Sequence, residues 1–214
     1  MAKSKTKKKT SLMLIISAVL LIAVSVMSLC MMSLPMSKTV TSTTILGSTT
    51  TVNSETANAF DYIKNWTEQD ENGNNKLSAL KETIKKYEEG SIKNETLDKV
   101  NEANKQQVAI VECLIVVIVA AAVAMVLGLV ALVLAFVKKN GAGKVFGLLA
   151  LLCVLAIFIL SCIVYAFYNP IATSLDGTLA GVTTTTTIVS VMALLIVSII
   201  GFVASTVTLV LSRR

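Results

Sequence analysis

A carboxylate inside an apolar run is the first place to look for chemistry, and this chain has one. Glu112 lies within the stretch Val108 to Val137, which carries no other charge. An intramembrane carboxylate is a candidate ion or proton site. Two other readings stay open, because a hydrocarbon span begun at Cys113 still has 23 residues to Ala135. Glu112 can be a boundary residue at the outer interface, or it can hydrogen-bond a Ser or Thr of a neighbouring helix. A proton pathway usually needs more than one titratable group, and the apolar runs offer no second acid or base.

The segment Asp70-Glu71-Asn72-Gly73-Asn74-Asn75-Lys76-Leu77-Ser78 has the spacing of an EF-hand loop, with Asp70, Asn72 and Asn74 at positions one, three and five. Calcium needs about seven oxygens, and the loop departs where that demand is greatest. Asn75 replaces the glycine at position six, and Lys81 stands where a bidentate glutamate belongs. The alternative is a polar turn between two helices. Asn65-Trp66-Thr67 and Asn94-Glu95-Thr96 are glycan acceptor sequons if the source is eukaryotic. With no histidine and no glycine-rich phosphate loop after a strand, neither a nucleophile-base pair nor a cofactor or metal site is expected, and the chain reads as a non-enzyme.

The elements that would hold these residues are mostly membrane spans. Of 214 residues, 54% are hydrophobic and 15% charged, and the mean hydropathy is +0.75, a balance that a soluble domain of this size does not show. Four windows without Lys or Arg are long enough to cross a bilayer: Leu12 to Leu34, Val108 to Val137, Val145 to Tyr168 and Ile188 to Leu211. The expected division is a basic tail (1–10), span one (11–34), an outer loop domain (35–107, Thr/Ser-rich over 35–53 and helical over 54–107), span two (108–137), a turn (138–144), span three (145–168), a second outer loop (169–187), span four (188–211) and a short end (212–214). The first span reads as uncleaved. It is longer than a signal h-region and lacks a clean small-x-small cleavage site.

Basic residues orient the spans. Five lysines precede the first, Lys138, Lys139 and Lys144 separate the second and third, and Arg213 and Arg214 end the chain, with no acid among them. The loop from Pro35 to Gln107 holds nine lysines against eleven acids. Both termini are therefore expected in the cytoplasm of a plasma or cytoplasmic membrane, with anionic inner-leaflet lipid as partner of the Lys-rich amino terminus. The net charge of +6 reports topology and does not point to nucleic acid. All four cysteines, Cys30, Cys113, Cys153 and Cys162, fall in spans, where burial as small apolar residues is expected, with one bridge near the outer ends as the alternative.

Ser54 is a reasonable cap for a first loop helix with Ala57, Phe60 and Ile63 on one face. Leu77, Leu80, Ile84 and Tyr87 share a face of a second, which stops at Gly90. Asn94 caps a third, which runs unbroken from Glu95 to Val137, roughly 65 Å at about 1.5 Å per residue and about twice a hydrocarbon core. The Thr-rich stretch after Pro35 has two readings, a hairpin around Leu46-Gly47-Ser48 or a solvated stalk. Asp176-Gly177 offers a hairpin turn in the second loop, and a small sheet or β-ribbon could join the two loops. Tyr165, Phe167 and Tyr168 suit the headgroup layer at the end of span three.

Small residues mark faces of close approach in lipid, where apolar burial gives no drive for association. Ala120, Ala124, Gly128, Ala131 and Ala135 form a stripe, Gly143-x-x-x-Gly147 opens span three, and span four carries Gly201-x-x-x-Ser205. Packing within the bundle and lateral assembly with itself or other membrane proteins both fit. Four spans with a long first and short second outer loop resemble, in topology, the claudin-like tetraspans, whose loops form a small sheet and which assemble laterally. That family's first loop carries Gly-Leu-Trp and two cysteines, whereas this loop has Trp66 alone and no cysteine. The fold expected is an all-α four-helix membrane bundle with a mainly helical extracytoplasmic domain. The function expected is that of an assembly, adhesion or accessory subunit, and the alternative is a channel or transporter component using Glu112 and the Thr-rich mouth.

Overall fold

A computed structural model describes residues 2–45, 48–71, 73–90, 94–174, 176–179 and 182–211. In chain order the elements are α1 (Ala2–Met32), β1 (Ser37–Ile45), β2 (Ser48–Glu55), α2 (Ala59–Thr67), α3 (Lys76–Glu89), α4 (Glu95–Phe136), α5 (Asn140–Ala172), β3 (Gly177–Leu179), β4 (Val182–Ile188) and α6 (Ser190–Leu211). The chain is mostly helical, and four helices are long and apolar enough to cross a membrane, within Leu12–Met32, Glu95–Phe136, Asn140–Ala172 and Ser190–Leu211. By length and composition it is an integral membrane protein. It divides into two compact units, one of Met1–Met31, Val116–Cys162 and Met192–Arg214, the other of Met32–Ile115 and Ile163–Val191.

Among the described residues the first unit is built of helices and has no strand. Its core is apolar and small, with Leu14, Leu21 and Val24 of α1, Ala124 and Ala135 of α4, Ala150, Leu151 and Val154 of α5 and Leu209 of α6. The outward positions are large and apolar, among them Val126, Val133, Leu152, Ile200 and Val203. That inversion of a soluble bundle is what lipid as solvent requires. The helix α1 begins at Ala2, so the basic segment expected as a tail has helical backbone. The turn between α4 and α5 is tighter than 138–144: Lys138 takes φ +62° and the Lys139 amide returns to the Leu134 carbonyl at 2.9 Å, and α5 starts at Asn140.

The second unit holds a four-stranded antiparallel sheet in the order β2-β1-β4-β3. Of the two readings of the Thr-rich stretch, the structure takes the hairpin, with Thr41 opposite Val52 and Lys38 opposite Glu55. The second loop joins the same sheet, Thr41 lying opposite Thr184 and Ser37 opposite Ile188. Threonine favours this because its branched Cβ fits a pleated surface. Two expectations fail here. Ser54 is a strand residue opposite Thr39, and the cap of α2 is Asn58, whose side chain accepts the Asp61 amide at 2.9 Å. Asp176-Gly177 does not close a hairpin, because β3 begins at Gly177. The links at 46–47 and 180–181, including part of the expected Leu46-Gly47-Ser48 turn, lie outside the described residues. Ile188 ends β4, which sets the start of the last helix at Ser190.

Candidate interaction surface

Glu112 has a partner, and it is neither a Ser nor a Thr. The Lys81 ammonium lies 2.5 Å from its carboxylate, with both side chains about half exposed. Two more polar bridges run along the same pair of antiparallel helices. Glu88 of α3 meets Lys105 of α4 at 2.6 Å, and the Tyr87 hydroxyl donates to Asp98 at 2.6 Å. That bond to the carboxylate holds the Tyr87 phenol above its ordinary value. Leu77, Leu80 and Ile84 are half-buried and no residue of α3 is fully buried, so this helix depends on side-chain bridges more than on a core. Between the bridges Ile84, Val108 and Ala109 floor a shallow groove of about 260 Å³ edged by Lys81, Lys105 and Glu112.

The EF-hand-like segment shows how its oxygens are used. Asp70 Oδ1 accepts the Asn74 amide at 2.9 Å, and the Asp70 amide donates to the Asn74 carbonyl at 2.7 Å. Asn75 Oδ1 caps α3 by accepting the Ser78 amide at 2.8 Å. Asn72 lies outside the described residues. Lys81, at the position where calcium loops place glutamate, is committed to Glu112. The sequon asparagines, Asn65 and Asn94, lie at helix ends and are exposed. Asn65 Oδ1 accepts Lys76 Nζ at 2.6 Å, and Asn94 Oδ1 caps α4 through the Leu97 amide at 2.8 Å.

Sequence reasoning missed a cluster of hydroxyls. The Gln107 side chain donates to the Tyr62 hydroxyl, and the Tyr62 and Trp66 rings lie 6.5 Å apart. Burial is the main cause that pushes the Tyr62 phenol above its ordinary value. Tyr168, expected among headgroups, is only 7% exposed, and its hydroxyl shares a hydrogen bond with Ser37 Oγ at 3.3 Å. Ser37 in turn takes its amide to Thr56 Oγ1 at 2.7 Å. An amphipathic ring beside a predicted sheet was the one available signal.

One face of the sheet is a grid of short side chains. Val40 stands between Asn53 and Thr185, Ser42 between Thr51 and Thr183, and Lys38 between Glu55 and Thr187. All nine are exposed except the half-buried Ser42. A Lys38–Glu55 ion pair at 2.6 Å closes one end. Cross-strand neighbours of this size leave a low surface with many hydroxyls and one central apolar residue.

In the first unit the small residues meet side chains of the same chain. A Cβ placed on Gly128 would lie 2.9 Å from Ile22, one on Gly143 2.8 Å from Leu14, and one on Gly201 would overlap the Val24 side chain. Gly147 has Leu209 at an ordinary 3.5 Å. Ala124, Ala131 and Ala135 are buried, but Ala120 is only half-buried and Ala121 takes its place. At 100° per residue, two successive steps of four carry Ala120 about 80° away from Gly128, off the stripe. Ser205 is buried without a hydrogen-bond partner for its hydroxyl, as is Ser17. No cysteine is in a disulfide, and Cys30 and Cys162 are exposed where burial was expected. As apolar thiols they suit a surface that meets hydrocarbon.

Comparison with protein-family models, with curated proteins and with solved structures found no match.

Proposed function

We propose that this is a non-enzymatic, four-span membrane subunit that binds a partner through its extracytoplasmic domain and serves in assembly, adhesion or as an accessory chain. The sheet face around Val40 is the observation that carries the reading. It is exposed, regular and poor in charge, with hydroxyls around Val40, which is 38% exposed at its centre, the mixed polar and apolar character of a non-obligate protein interface. The charge pattern of the loops supports an extracytoplasmic position for this face. The small-residue stripes support a narrower version of the expectation. Gly128, Gly143 and Gly201 already approach α1, so the partner's contact falls on the outer domain and the helix faces serve the bundle. The test is gentle extraction of the full chain, a mass measurement of the complex, and the same measurement on Val40→Lys. Stoichiometric partner with the natural chain and its loss in the variant supports the reading. A monomer without partner in both overturns it.

A further inference from the structure

The two edges of the sheet are finished differently. β3 closes one with three residues. β2 closes the other with eight, STTTVNSE, which hold no Lys, no Pro and a single charge, Glu55. Edge strands that stay alone are usually short or guarded by such residues. The Glu55 carboxylate is already paired with Lys38 at 2.6 Å, so no uncompensated charge repels a neighbour. Thr51 and Asn53 on one side of β2 and Thr50, Val52 and Ser54 on the other are all exposed. Among the described residues no strand lies beyond β2.

The ladder with β1 fixes where the backbone of β2 points. The Thr56 amide donates to the Ser37 carbonyl at 3.0 Å. Hydrogen-bonded and non-bonded pairs alternate in an antiparallel ladder, so the bonded ones that follow are Thr39 with Ser54, Thr41 with Val52 and Thr43 with Thr50. Thr51 and Asn53, which lie between them, turn their backbone N–H and C=O away from β1. Those groups form a template for one more strand.

We propose that β2 pairs with β2 of a second copy of this chain, antiparallel and centred on Val52. A two-fold axis normal to the sheet relates the copies. Such a copy keeps the two faces in line only when odd positions oppose odd and even oppose even, which leaves 51 on 51 or 52 on 52 near the middle of the strand. The second register sets the one apolar side chain of β2, 60% exposed in the single chain, against its own copy. It also brings Thr51 opposite Asn53 of the copy, so that their outward backbone groups exchange hydrogen bonds. Glu55 then falls opposite Thr49 of the copy and clear of the other Glu55. This self-complementarity is what selects a second copy over an unrelated extended segment. The contact is separate from the Val40 face, because Val52 shares a side of the sheet with Thr41, and Val40 shares the other with Asn53.

The experiment uses the full chain in detergent, oxidised with copper phenanthroline, and locates each bridge by mass spectrometry of the linked peptides, which separates it from any bridge of the natural cysteines. Val52 and its copy form a non-hydrogen-bonded pair with Cα atoms about 4.5 Å apart, within reach of a disulfide. Val52→Cys should therefore give a dimer linked 52 to 52. Thr50→Cys alone should give about tenfold less, because position 50 and its copy are offset along the strands by about 13 Å, beyond a bridge. An equimolar mixture of Thr50→Cys and Ser54→Cys chains should link 50 to 54, which this register places opposite each other. Asn53→Pro removes an outward N–H while leaving the bonds to β1, and added to Val52→Cys it should abolish the bridge with circular dichroism unchanged. Val40→Lys added to Val52→Cys should leave the bridge in place. No 52-to-52 link in folded Val52→Cys overturns the proposal. So does an equal yield from Thr50→Cys alone, or an undiminished bridge in the proline variant.

Discussion

The two units of this chain solve the same problem, holding elements together, with opposite means. The helical unit uses shape. Its contacts are glycines and alanines against Leu14, Ile22 and Val24, and its buried serines mostly bond back to their own helices, as Ser25 does to Leu21 and Ser161 to Ile157. The mixed unit uses direction. It is held by ladder hydrogen bonds, capping asparagines and ion pairs such as Lys81–Glu112. The difference follows from solvent: in lipid a neighbour's methyl groups are no better than an acyl chain unless they fit closely, whereas in water a strand needs its backbone groups paired. A substitution that is severe in one unit should therefore be mild in the other.

Gly201→Val gives the largest expected effect. Both Cγ atoms and the Cβ of Val24 lie within 2.9 Å of the position a new Cβ would take, so the helices must separate, at a cost of about 3 kcal/mol. Thermal unfolding in detergent measures it, and adding Val24→Ala should restore much of the loss. Stability of Gly201→Val equal to the natural chain would show that α1 and α6 do not meet by close approach. Next is Thr41→Pro. Because β1 is paired on both sides, the change removes a ladder bond from a central strand and costs about 2 kcal/mol. Amide exchange across β2 and β4 should accelerate while the apolar helices stay protected, and unchanged exchange in the strands would contradict the sheet.

Glu112→Gln is smaller. The pair with Lys81 is half exposed and screened, so its loss is worth about 0.5 kcal/mol. Exchange in α3 should rise about twofold and lose part of its dependence on salt, since the Glu88–Lys105 pair remains; an effect many times larger would mean that Glu112 is in a dry site. Smallest is a pH effect from Tyr62. Its phenol is raised from 10.0, so the stability it contributes is complete below the unfolded value and falls as pH rises through the folded one. Titration by ultraviolet absorbance should show Tyr62 and Tyr87 ionising late, and Tyr62→Phe should remove one tyrosine from that late phase.

Most local signals in the sequence were reliable. Asn94 and Gly90 end their helices where capping chemistry puts them, and the apolar windows are helices because nothing else satisfies a backbone in lipid. Signals that depend on distant pairing were not readable. Ser54 looks like a helix cap, and only its partner Thr39 makes it a strand residue. Lys81 looks like a defect in a calcium loop until Glu112, 31 residues on, comes to meet it. Ala120 entered the stripe through a count of fours that a 3.6-residue helix does not keep. The Ser37–Tyr168 and Tyr62–Gln107 bonds had no motif at all, since a pair drawn from distant elements leaves no spacing in the chain.

Site-specific photo-crosslinking in native membranes tests the proposed role most directly. A photoreactive side chain at Thr185, on the exposed face of the sheet, should capture a protein partner in good yield, whereas the same group at Val203, 54% exposed on α6, should capture lipid. Protein adducts from Val203 and none from Thr185 would place assembly on the helices and contradict the assignment of the sheet as the contact surface.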